Sequence, residues 1–134
     1  MKRAQISRGF IALIFCTAGV LHFVAPRQYA GVIPPMLPNP YLLVAVSGAF
    51  EILGGIGILV PRVRRLAGAG LIALLFAVYP ANIYMFTRQL QAHGWSFTTL
   101  LLFLRLPLQF VLIWWVFQAC LGTKPLRLGS NGRQ

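Results

Sequence analysis

The sequence predicts an all-α fold, a polytopic membrane four-helix bundle, from two observations. Of the 134 residues, 58% are hydrophobic and 10% are charged, whereas a soluble domain carries roughly 25% charged residues. The apolar residues are also gathered into four long runs, separated by proline, glycine and basic residues. A chain with so few charges needs lipid rather than water around it, so the lipid bilayer is its first expected partner.

Each apolar run is long enough to cross a hydrocarbon core of roughly 30 Å, which takes about 20 helical residues. Backbone polar groups must be satisfied internally in lipid, so runs of this length are expected to be helical. The sequence predicts one transmembrane domain over residues 1–134, with spans at about 7–25, 41–60, 66–86 and 98–120.

The basic residues predict the orientation of these spans. Nine of the twelve Lys and Arg residues lie at the two ends of the chain or between the second and third spans. The other connections carry only Arg27 and Arg88, and Arg105 lies within the fourth span. The positive-inside rule therefore places both termini in the cytoplasm and predicts a multi-pass protein of the cell inner membrane. Topology and anionic lipid account for the net charge of +11, so nucleic acid is not an expected partner.

Two connecting and packing features follow from proline and small residues. Residues 26–40 carry five of the nine prolines, which predicts a stiff extended strap that is either a rigid turn or a lid over a pocket. Small residues cluster on the second span and at the start of the third, which predicts that these two helices touch along much of their length. The small residues of the second span are Ser47, Gly48, Gly54, Gly55 and Gly57.

Polar residues within the spans are the candidate functional residues, because polar groups are costly in lipid and usually face the bundle interior. Six of them fall between the bilayer midplane and the predicted outer surface, and they come from all four spans. They are His22, Ser47, Glu51, Asn82, Arg105 and Gln109. The inner half has almost nothing comparable, so a polar site is expected in the outer half.

Spacing and charge suggest how these residues interact. Ser47 and Glu51 are four residues apart, as are Arg105 and Gln109, so each pair shares one helix face. Glu51 is the single acidic residue of the chain, and a carboxylate near mid-bilayer needs either a proton or a cation. The sequence predicts a Glu51–Arg105 ion pair on this basis. The cluster is either a set of interhelical bonds that hold the bundle together or a ligand pocket.

Other chemistry is not expected from this sequence. Cys16 and Cys120 lie at depths too different for a disulfide, and no C-x-x-C motif is present. Two distant histidines with one acidic residue do not predict a metal site.

Pro80 and Pro107 interrupt the third and fourth spans, and kinks at these prolines would widen the outer half into a cavity.

A set of motifs along the chain resembles the DoxX family of four-helix membrane proteins. The motifs are His22-Phe23, Pro26, Tyr29, Ile33-Pro34, Leu37-Pro38, Ser47-Gly48, Glu51-Ile52, Gly54-Gly55, Pro80-Ala81-Asn82-Ile83 and Arg105-Leu106-Pro107-Leu108-Gln109. The resemblance covers about residues 19–115. It implies an association with quinol oxidase or thiosulfate:quinone oxidoreduction, or with detoxification, and it brings no established catalytic residues.

The sequence favours two functions over a third, transport of a small solute or proton, for which the inner half lacks a polar path. In the first, the six polar residues bind a small, partly apolar molecule, with a quinone as the candidate cofactor. In the second, the protein is a non-enzymatic subunit or assembly factor that binds other membrane redox subunits or a second copy of itself. Whether the protein is an enzyme is not decided by these residues.

Overall fold

The computed structural model describes residues 2–31 and 33–122, and most of these residues are helical. Its helices are α1 (Lys2–Val24), α2 (Pro26–Ala30), α3 (Pro40–Gly57), α4 (Arg64–His93) and α5 (Phe97–Cys120). Helices α1, α3, α4 and α5 are each long and apolar enough to cross a membrane, and no strand occurs in the described ranges. The described part of the chain is therefore all-helical, and its four long apolar helices are those of a multi-pass membrane protein. The basic residues after Cys120 lie outside the described ranges.

The helices extend beyond the apolar runs that predicted them. Helix α4 continues past Phe86 through several polar residues and ends at His93, where Gly94 adopts a positive φ of 62°. Helix α1 begins five residues before the expected start of the first span, Ser7. Hydropathy marks the part of a helix that suits lipid, whereas backbone hydrogen bonding continues until a residue such as glycine ends it.

The four long helices pack as successive antiparallel neighbours. Helix α1 packs along α3, α3 packs on α4, and α4 packs along α5, while α1 also contacts α5. We call the end of the bundle that holds Lys2, residues 58–63 and Cys120 the termini end. The opposite end holds residues 25–39 and 94–96, and we call it the proline end.

The buried apolar core lies toward the termini end. Ile11, Phe15, Ile58, Leu71 and Val116 are each at most 3% exposed and belong to one cluster. Polar contacts join α1 to α5 at the same end. Arg8 Nε donates to the Ala119 carbonyl at 3.0 Å, and Trp115 Nε1 donates to Ser7 Oγ at 2.5 Å. The termini end is closed by these contacts, so any open space in the bundle belongs nearer the proline end.

The small residues of α3 pack against two different neighbours, α4 as the sequence predicted and also α1. A Cβ at Gly54 would clash with Leu71 Cδ2, so Gly54 packs on α4. A Cβ at Gly48 would lie 2.8 Å from His22 Cβ, so Gly48 packs on α1. Gly55 also faces α1, because its Cβ would lie 2.9 Å from Cys16 Sγ. Helix α3 therefore approaches α1 closely at the depth of the polar residues.

The connection between α1 and α3 is not the continuous extended strap that its prolines predicted. Residues 26–30 form the short helix α2, and turns and bends follow among the described residues up to 39. Pro26 begins α2, a position that tolerates proline because the first helical N–H has no partner to lose. Tyr29, Ile33 and Leu37 of this connection line a cavity, so it covers part of the bundle as well as joining two helices.

Candidate functional site

A cavity of about 380 Å³ lies between the helices toward the proline end. Five of the six polar residues predicted from the sequence line it: His22, Ser47, Glu51, Asn82 and Arg105. They come from α1, α3, α4 and α5. The volume falls in the lower part of the range of about 300–1,000 Å³ that is usual for small-molecule sites.

The carboxylate of Glu51 is paired with His22. Their Oε2 and Nδ1 atoms lie 3.1 Å apart, and the two side chains are 12% and 13% exposed. This approach depends on Gly19 and Gly48, where the backbones of α1 and α3 almost touch. A Cβ at Gly19 would lie 2.7 Å from the Gly48 carbonyl oxygen. The close packing of two small residues therefore sets the distance between the imidazole and the carboxylate.

The imidazole of His22 is fixed by two further contacts. Nδ1 lies 2.7 Å from the Ala18 carbonyl oxygen, and because that oxygen can only accept, Nδ1 carries the hydrogen. The ring also stacks on Tyr29 of α2, with centroids 4.1 Å apart and planes 21° apart. No polar pattern pointed to Tyr29, although it is one of the residues that carry the DoxX resemblance.

Arg105 does not form the predicted ion pair with Glu51. The one salt bridge among the described residues is His22–Glu51, and Arg105 is exposed. The reason is the packing order, because α5 packs on α4 and α1 and makes no packing contact with α3. Arg105 and Glu51 both line the cavity, so the guanidinium and the carboxylate belong to different walls of the same space.

Gln109 lies behind the cavity wall, because it is not among the residues that line the cavity. Its side chain is 4% exposed. Nε2 donates to the Leu75 carbonyl of α4, and Oε1 accepts from Asn82 Nδ2. Leu75 directly precedes Phe76, the residue whose carbonyl loses its helical partner at Pro80. Gln109 therefore joins α5 to α4 and orients the Asn82 amide.

The remaining cavity walls are apolar. Leu43, Val46 and Phe50 line it from α3, and they are 38%, 44% and 60% exposed. Ala77 and Val78 line it from α4. Side chains that are half exposed and also line the cavity show that this side opens to the surroundings of the bundle, which in a membrane are acyl chains.

The site can hold one polar group and an apolar body at the same time. Arginine and amide groups donate hydrogen bonds, and serine and carboxylate oxygens accept them, while the walls between α3 and α4 accept hydrocarbon. Among the described residues, no group of three or more His, Cys, Asp or Glu residues is placed to hold a metal ion. The arrangement has the polar and apolar surfaces that a small amphiphilic molecule would need.

Fold and cavity together define a four-helix membrane protein with a polar site in one half of the bundle. The family model described as "Domain of unknown function (DUF8561)" matches residues 11–120, which include α3, α4, α5, most of α1 and every residue of the site. The chain belongs to this family. No curated protein and no solved structure matches the chain.

Proposed function

We propose that this protein is a DoxX-like component of the cell inner membrane that binds a small, partly apolar molecule of the quinone type in the cavity described above. The observation that carries the proposal is a largely shielded carboxylate–imidazole pair in a cavity whose other walls are mostly apolar. A quinone has this division of character, with polar oxygens on its ring and a hydrocarbon tail. Arg105 and Asn82 supply donors for ring oxygens, and the tail passes between α3 and α4.

The binding test uses both redox forms of one quinone, decylubiquinone and decylubiquinol, titrated into the protein in lipid nanodiscs by calorimetry. Saturable binding of either form is expected. Ser47→Ala should weaken it about threefold to tenfold, the effect of one hydrogen bond. The matched control is Ser7→Ala, which removes the same hydroxyl at the termini end and should leave the affinity unchanged.

The alternative function, a non-enzymatic subunit of a larger membrane complex, predicts the opposite result. Neither quinone form would bind, and gentle extraction would recover the protein with other membrane redox subunits or as a homo-oligomer. Binding that Ser47→Ala and Ser7→Ala weaken equally would also contradict a site at this cavity.

The orientation that belongs to this proposal has both termini in the cytoplasm, so that the cavity lies in the outer half of the bilayer. Arg62, Arg64 and Arg65 lie at the termini end, within or directly after residues 58–63, and support this orientation through the positive-inside rule. Alkaline phosphatase fused after Gln134 is expected to be inactive, whereas phosphatase inserted within residues 94–96 is expected to be active. The reverse pattern of activities would overturn the orientation.

A further inference from the structure

Two buried oxygen atoms of the cavity have no hydrogen-bond partner among the described residues. They are Ser47 Oγ and Glu51 Oε2, and they lie one helical turn apart on the same face of α3. Although Oε2 is 3.1 Å from His22 Nδ1, the single hydrogen on Nδ1 is bonded to the Ala18 carbonyl. Buried acceptors are satisfied in almost all native structures, so these two oxygens favour a ligand that brings its own donor.

The charged residues of the cavity limit the kind of hydrogen-bond donor that a ligand can bring to Glu51. Arg105 contributes a permanent positive charge, which disfavours a ligand ammonium group, and the Glu51 carboxylate disfavours a ligand carboxylate or phosphate. Both residues line the same space. A neutral O–H group avoids both repulsions, and it can donate to Oε2 while its ring lies against the apolar walls.

We propose, on the basis of the proposed function, that the cavity selects the reduced form of its ligand, a hydroquinone or related phenol whose hydroxyl donates to Glu51. The oxidised quinone presents only carbonyl acceptors, so its oxygen would face the carboxylate oxygen of Glu51 without a hydrogen between them. In the hydroquinone, one hydroxyl donates to Glu51 Oε2 and the Ser47 hydroxyl bonds the same end of the ring. The second hydroxyl oxygen accepts from Arg105, across the cavity.

The experiment compares dissociation constants for decylubiquinol and decylubiquinone in nanodiscs under argon. The wild-type protein should bind the quinol about tenfold more tightly or better, the effect of one hydrogen bond to a charged group. Glu51→Gln gives the site an amide donor, so this preference should disappear or reverse while quinone binding is kept. Arg88→Gln is the control for removing one charge elsewhere, since Arg88 is exposed and does not line this cavity, and it should leave the ratio unchanged.

The outcomes separate this inference from the proposed function. Equal affinities, or tighter binding of the quinone to the wild-type protein, would overturn the selection of the reduced form and leave quinone binding intact. No binding of either form would overturn both. Should Glu51→Gln fail to fold, the dimethyl ether of decylubiquinol gives the second measurement on the wild-type protein, because it lacks both hydroxyl hydrogens and should bind no more tightly than the quinone. Binding of this ether as tight as that of the quinol would contradict the inference.

Discussion

Replacing Gly48 by leucine is expected to destabilise the bundle by about 3 kcal/mol or more, the upper part of the range for overpacking a tight interface. A Cβ at this position would lie 2.9 Å from the Gly19 carbonyl oxygen and 2.8 Å from His22 Cβ. One of these neighbours is backbone, so it cannot turn away as a flexible side chain does. Helix α1 would have to move off α3, which would also separate His22 from Glu51.

The matched control for this substitution is Gly70→Leu. Gly70 is also a helical glycine, but no atom lies within 4 Å of the position of its Cβ. Leucine there should change the stability by less than about 1 kcal/mol and in the favourable direction, because it is a better helix former than glycine. Reversible SDS unfolding followed by circular dichroism measures both variants. Equal losses at the two positions would show that the α1–α3 contact is not the cause.

The spans were predictable because membrane crossing depends on the length and hydropathy of single segments. The residues at which the helices begin and end were harder to predict. Arg88 reads as the start of a connection, yet α4 continues past it to His93, since an exposed arginine does not interrupt backbone hydrogen bonding. The fold of residues 26–30 was missed for a related reason, as proline favours extended structure before it and helix starts at it.

The composition of the site was also accessible from the sequence, whereas its pairing was not. The depth in the membrane that the sequence predicts was enough to group Ser47, Glu51 and Asn82, and all three line the cavity. The partner of Glu51 depends instead on which helix packs against α3 at that depth. Glycines occur on two faces of α3, with Gly48 toward α1 and Gly54 toward α4, so small-residue content did not identify the neighbour. Arg105 carries a permanent charge, but His22 lies on the helix that packs against α3 at the depth of Glu51.

Replacing His22 by leucine is expected to cost about 3 kcal/mol, the lower end of the range for breaking a buried ion pair. The substitution leaves the Glu51 carboxyl, 12% exposed, without its adjacent partner. The cost falls at the lower end because the carboxyl can take up a proton and become neutral. Leucine replaces the imidazole with a side chain of similar bulk, so lost packing contributes less than it would with alanine.

The double variant His22→Leu with Glu51→Leu separates charge from packing. With both partners apolar there is no unpaired carboxyl, and exchanges of this kind are often neutral or stabilising, so the double variant should recover most of the stability lost in His22→Leu. Arg105→Gln should cost less than about 1 kcal/mol, because Arg105 is exposed and outside the pair. Reversible SDS unfolding measures the stability of all three variants. A double variant no more stable than His22→Leu would show that His22 acts through packing rather than through Glu51. A large loss in Arg105→Gln would restore Arg105 as the partner of the carboxylate.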